Sequence, residues 1–296
     1  MALYPSHGFD TLPDPFPVRT GRQPRPAPPP KAPSLDDALR KLRALPPLSM
    51  VAAQLLQQIS KENVGFKSVS ELIRSDAPLT ADLLRIANSA LFGSRFPVTG
   101  VLHALAMLGM DRVRSMVTTA ALKHFVGPGA GTPAMQRCWR HNLACALLSD
   151  EAAHNAHLDR DFAYTAGLLH DIGRLAMMGV WPKQYSELLD SATVDGAGLL
   201  PLERREFGLP HTLAGFALLQ HWKLPLIFAD ICDRHHDPPP EGSRDVLAIV
   251  SFSCQLADQL GFSAIEQDPP PTTGRASEAY VRIGARINEL ECCLGF

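Results

Sequence analysis

Residues 48–60 read LSMVAAQLLQQIS, with apolar side chains at Leu48, Val51, Ala52, Leu55, Leu56 and Ile59. Steps of three and one in alternation trace one face of an α-helix. The same spacing spreads outward in both directions. Upstream, Ser34 and Asp37 form a capping-box pattern with Asp in place of the usual Glu. Leu35, Ala38, Leu39 and Leu42 follow on one face, and Pro46–Pro47 stops that helix. Downstream, helices are expected at about 69–75, 78–91, 99–108 and 111–125, with Gly109 closing the third and Asp111 suited to cap the fourth. A break, GPGAGTP at 127–133, separates these from helices at about 134–155, 160–179, 182–191, 199–206, 210–221, 224–236 and 244–260. A loop rich in proline and threonine covers 268–274, and a last helix, striped by Tyr280, Ile283, Ile287, Leu290 and Leu294, covers 276–294. Alternating apolar and polar runs are absent from the sequence. The expected fold is therefore all-α, a globular helical bundle.

Residues 1–33 hold ten prolines. Such a stretch neither forms a helix nor pairs in a central strand, so it is expected to be a disordered or extended spacer. The folded part is expected from 34 to 294: an N-terminal helical subdomain over 34–126, a second over 134–262, and the C-terminal helix. The 28 basic and 30 acidic residues give a net charge of -2. No basic excess points to nucleic acid. No apolar run reaches the roughly 18–20 residues of a membrane span, and residues 1–19 lack the pattern of a signal peptide, so a cytoplasmic location and no membrane are expected. Six cysteines without a C-x-x-C pair read as free thiols, not as a disulfide or zinc–thiolate site. Cys138, Cys145, Cys232 and Cys254 fall in apolar helical patterns, where a thiol behaves as a small hydrophobe.

The residues that carry chemistry are histidines and aspartates placed in apolar helices. His170 and Asp171 form a doublet in AGLLHDIGRL. His141 opens HNLACALLSDEAA, His211 opens HTLAGFALLQHW, His235 and His236 end LIFADICDRHH, and Asp258 lies in IVSFSCQLADQL. A buried imidazole or carboxylate needs a partner, since stranding it costs several kcal/mol. A bound cation would satisfy several at once; neutral imidazole and carboxylate suit Fe, Mn, Ni or Zn. A set of individually satisfied core and surface histidines is the alternative. Neighbours on a helix point about 100° apart, so His235 and His236 face one point only if the helix ends there. Arg174, in apolar context, is expected to pair with a nearby carboxylate. His103, His124, His154, His157 and His221 read as surface or capping residues, Trp139, Trp181 and Trp222 as core. Asn88, a poor helix former, is expected to hydrogen-bond to a neighbouring loop.

From about Leu45 to Leu260 the chain resembles the HDOD (HD-related output domain) family. The matching pieces are LPPLSMVAAQLLQQIS, IRSDAPLTADLLRIANSALFG and VLHALAMLGMDRV, then CWRHNLACA, TAGLLHDIGRL, HTLAGFALLQHWKLP and DRHH. The resemblance implies an N-terminal helical subdomain packed on an HD-like helical core. It also implies a metal set of His141, His170, Asp171, His211, His235, His236 and Asp258, holding one or two transition-metal ions. Two departures from the HD-GYP phosphodiesterases weigh against catalysis. DPPPEGS follows His236 where those enzymes have GYP, and Arg174 stands where they look to have lysine. The implied role is a bacterial-type signal-transduction module that regulates a signalling protein by contact. The alternative is a metal-dependent phosphohydrolase acting on a nucleotide or cyclic dinucleotide, with Asp171 and Arg174 in the chemistry.

Overall fold

The Ser34 hydroxyl accepts the Asp37 backbone N–H at 3.2 Å and opens the first helix, α1 (Leu35–Arg43). A computed structural model describes residues 34–58, 65–90, 97–127, 131–266 and 273–295, and the proline-rich leader and Ile59 lie outside them. Next come α2 (Met50–Gln57), α3 (Phe66–Arg74), α4 (Ala77–Ala87), α5 (Val101–Leu108) and α6 (Met110–Val126). The second half holds α7 (Pro133–Ala156), α8 (Arg160–Leu169), α9 (Ile172–Val180), α10 (Pro182–Ser191) and α11 (Gly196–Phe207). It continues with α12 (His211–His221), α13 (Leu226–Arg234) and α14 (Val246–Gln259), and α15 (Gly274–Leu294) closes the chain. No strand occurs among the described residues. The fold is all-α. No helix there is long and apolar enough to cross a membrane.

Two local expectations need correction. Asp111 does not cap α6. Gly109, at φ 86°, serves as the cap position, and Asp111 sits in the first turn, where its carboxylate accepts from Arg114 at 2.8 Å. The single helix expected over 160–179 is two helices, because the backbone leaves the α-helical region at Asp171 (φ -110°, ψ 23°). Apolar periodicity continues through this break, so the sequence pattern does not show it.

The apolar faces merge into a main core that runs from Ala38 to Leu294, beside a small cluster of Ala153, Ala163 and Ile249. Leu55, Leu56, Ile73, Leu83 and Ile86 fill its first half. Each such side chain contributes about 1.5–3 kcal/mol by leaving water. The helix α6 packs on α2, α4 and α8, and α15 packs on both α4 and α7, so the N-terminal helices sit directly on the second half. The Arg140 guanidinium on α7 pairs with Glu291 and donates to Asn288 on α15 at 2.9 Å. Trp139, Trp181 and Trp222 are all buried. Asn88 ends α4 and clamps the segment before α5: its amide donates to the Val98 carbonyl at 2.9 Å and accepts the Val98 N–H at 2.7 Å.

Two glycines set the spacing around the second half. A Cβ on Gly167 would stand 2.9 Å from the Cys145 carbonyl oxygen, so α8 lies backbone to backbone against α7. A Cβ on Gly173 would stand 1.9 Å from the His211 carbonyl oxygen and 2.7 Å from the Gly215 nitrogen. Only glycine lets α9 come this close to the start of α12, and that contact brings His211 to the Asp171 carboxylate.

Candidate metal centre

The break between α8 and α9 carries His170 and Asp171, both buried. Outside regular helix, the two adjacent side chains turn toward one point. The same device operates after α13. That helix ends at Arg234, His235 takes the cap position, and the His235 and His236 rings lie 4.1 Å apart. Both doublets therefore work because each sits at a helix end.

Around Asp171 the imidazoles share one orientation. His141 Nδ1 meets the Phe262 carbonyl at 2.9 Å, His170 Nδ1 the Gly167 carbonyl at 2.6 Å, and His235 Nδ1 the Cys232 carbonyl at 2.8 Å. His211 Nδ1 meets Glu203 Oε2 at 2.7 Å, and the same oxygen accepts the His211 backbone N–H at 2.7 Å. An acceptor at Nδ1 requires the proton there, which leaves Nε2 as a lone pair. The four Nε2 atoms face Asp171. His211 and His235 lie 3.3 and 3.6 Å from Oδ1, and His141 and His170 lie 3.6 and 3.9 Å from Oδ2. His236 Nε2 joins the Oδ1 side, 3.1 Å from His211 Nε2.

The surroundings favour neutral imidazoles at His170, His235 and His236. Burial, aided by the neighbouring histidines, pushes His170 well below the ordinary histidine range. Burial likewise lowers His235 to about 4 and lowers His236. Burial alone would raise Asp171, but the Arg174 guanidinium together with His211, His170 and His235 outweighs it and holds the carboxyl well below the usual carboxylate range. Arg174 Nε donates to Asp171 Oδ2 at 2.5 Å, with both side chains buried.

Four buried atoms of this cluster lack a hydrogen-bond partner: Arg174 Nη1, and the mutually facing His170 Nε2, His235 Nε2 and Asp171 Oδ1. Orphaned buried groups are costly, and three of them facing a common point fit a cation. Three overlapping sets place their donor atoms within 4.8 Å of one another: His141, His170 and Cys254; His211, His235 and His236; and His170, Asp171 and His235. The cluster can hold a metal ion. When bound, a divalent cation supplies a link between helices and lowers the pKa of a coordinated water.

Of the residues singled out in the sequence, His141, His170, Asp171, His211, His235 and His236 come together. Asp258 lies at the rim of the cluster, against His141. Its carboxylate lies 3.4 Å from His141 Nδ1, the nitrogen already turned to Phe262, and its side chain is 22% exposed. Arg174 belongs to the cluster as the partner of Asp171. His154 and His221 are exposed, and His157 is a left-handed cap on α7.

Two residues escape a sequence reading. Glu203 is buried, orients His211 and accepts the Tyr185 hydroxyl at 2.5 Å. In LERREF it looks like one charge on a solvated face, and nothing local marks it. Cys254 looks like a stripe hydrophobe, yet its Sγ lies 3.6 Å from His141 Nε2. A cleft of about 400 Å³ reaches the cluster from outside, lined by Gly196, His236, Cys254 and Asp258 among others.

The HDOD domain model matches residues 45–238 of the chain. A solved HDOD domain protein of unknown function from Geobacter sulfurreducens is similar over 88% of this chain and 98% of its own, at 23% identity and a TM-score of 0.67. A solved protein from Shewanella amazonensis SB2B, provisionally named a phosphohydrolase, is similar over 87% of this chain and 96% of its own, at 24% identity and a TM-score of 0.63. An uncharacterized protein of Treponema pallidum (strain Nichols) is 23% identical over 218 residues. Those residues are 71% of this chain and 41% of that protein, so the chain spans less than half the length of this relative.

Proposed function

Since this chain belongs to the HDOD domain family, we propose that it is a regulatory module that acts by contact with a signalling protein, with a transition metal held as a structural element. One observation carries the non-catalytic part. Asp171, among the described residues the one carboxylate that the imidazole Nε2 atoms face, has one oxygen tied to the buried Arg174 at 2.5 Å. A carboxylate neutralised by an internal cation has less charge to offer a pair of ions or a reacting phosphate. Arginine also holds its proton too tightly to act as a general acid. After His236, Pro238 to Pro240 supply no backbone N–H to a phosphate oxygen.

The cleft that reaches His236 favours a second reading, a metal-dependent phosphohydrolase of nucleotides or cyclic dinucleotides. The name of the Shewanella relative points the same way. Metal content and turnover separate the two. The full chain, purified without added metal, is expected to carry one or two ions of Fe, Mn, Ni or Zn by elemental analysis. With Mn or Fe supplied it is expected to show no hydrolysis of a nucleotide panel above background. Turnover at about 1 per second or faster, lost in Asp171→Ala, would replace the regulatory reading with the enzymatic one.

A further inference from the structure

The inner face of α14 offers two residues with ligand chemistry, Cys254 and Asp258, one helical turn apart. They meet opposite edges of the His141 ring. Asp258 is beside Nδ1, which bears the proton given to the Phe262 carbonyl and so has no lone pair for a cation. Cys254 is beside Nε2, the free lone pair, at 3.6 Å. Cys254 is 2% exposed, and its sulfur, His141 Nε2 and His170 Nε2 lie within 4.8 Å of one another. Independently of the cysteine, His170 Nε2 is a buried nitrogen without a partner in that same set.

We propose that Cys254 is a thiolate ligand of this chain's metal centre, which with His141 and His170 forms a two-nitrogen, one-sulfur set for a thiophilic cation of the Zn²⁺ or Co²⁺ type. The inference rests on the reading that the cluster holds metal, and it gives the late ligand to Cys254 in place of Asp258. The spacing agrees. Zinc–sulfur and zinc–nitrogen bonds of about 2.3 and 2.0–2.1 Å at a tetrahedral angle put the two donors about 3.6 Å apart. The thiol proton that now faces His141 Nε2 is the one a cation displaces: the S–H bond breaks, a sulfur–metal bond forms, and the proton leaves to solvent with no change of oxidation state. A thiolate donor favours Zn²⁺, Co²⁺ or Fe²⁺ over Mn²⁺ and Mg²⁺, which prefer oxygen.

Cobalt spectroscopy tests this on the full chain, stripped with chelator under reducing conditions and titrated with Co²⁺. The wild type is expected to show visible ligand-field bands together with a near-ultraviolet sulfur-to-cobalt charge-transfer band. Cys254→Ser is expected to lose the charge-transfer band and to bind Zn²⁺ more weakly, by at least the roughly 10–100-fold cost of losing an outer partner. Cys254→Asp guards against loss of fold: it is expected to bind Co²⁺ without the sulfur band and to gain affinity for Mn²⁺. Asp258→Asn is expected to keep the band. Ligand-field bands without a sulfur band in the wild type, or a sulfur band that survives Cys254→Ser, would overturn the thiolate while leaving the metal centre intact. The absence of any cobalt absorption would overturn both.

Discussion

The His211 carbonyl oxygen lies 1.9 Å from the point where a Cβ on Gly173 would stand. The hydrogen atom of a glycine is therefore the spacer between α9, which begins after Asp171, and α12, which begins with His211. Gly173→Ala has to push two backbones apart, and backbone cannot swing aside as a flexible side chain can. The variant is expected to lose about 3 kcal/mol or more, the upper end of overpacking costs, and to bind less metal. Gly284→Ala on α15, where the nearest atom is the tip of Phe262 at 3.7 Å, serves as the control. It is expected to be neutral or to gain up to about 1 kcal/mol from helix propensity. Urea denaturation of both variants measures the difference.

The neutral histidines make metal-stripped protein sensitive to acid. His235 binds a proton at about 4 in the folded state against 6.5 ordinarily, and His170 is shifted the same way. Between those values the unfolded chain holds more protons than the folded one, so stability rises with pH there. On acidification, stability is lost from about pH 6.5 down to about pH 4, at up to about 1.4 kcal/mol per pH unit for each such histidine. Urea midpoints at pH 7.5, 6 and 5 are expected to fall in that order. A flat profile would mean that the imidazoles take up protons in the fold at their ordinary pKa.

Glu203 acts on the centre through His211. It accepts from both the ring and the backbone of that residue, and Tyr185 holds its other oxygen. Glu203→Gln keeps the volume but removes the negative charge that fixes the His211 tautomer. Metal affinity, read by competition with a chromogenic chelator, is expected to drop about 10–100-fold while far-UV circular dichroism stays helical.

The cluster also predicts which histidines matter for bound metal. His170→Ala and Asp171→Ala are each expected to abolish it in elemental analysis. His154→Ala, which removes an exposed ring on the last turn of α7, is expected to leave it unchanged. Equal loss in all three would place the metal elsewhere.

The helical class of this protein was readable from its sequence, because a 3.6-residue repeat of apolar side chains is a local property that tertiary contacts reinforce. Leu48, Val51, Ala52, Leu55 and Leu56 show this, and all five are buried. Polar residues in apolar helices demand partners, and six of the seven singled out on that ground lie together, while Asp258 reaches only the rim. What the pattern did not carry is position along a helix axis and the ends of helices. Cys254 and Asp258 lie four residues apart on one face of α14, and only the level of His141 on the facing helix decides which of them meets Nε2. The break at Asp171, which turns one doublet inward, interrupts no apolar stripe, whereas the stop at Arg234, which turns the other, lies just before Asp237–Pro238, a helix end the sequence does mark. Glu203 reaches His211 from another helix, eight residues earlier in the chain but across the turn at Gly208–Pro210, where the periodicity of one helix does not carry into the next. Repetition along a helix encodes which face is buried. Which atoms then meet is decided by how far two backbones approach, and here that distance was set by Gly173 against the carbonyl of His211.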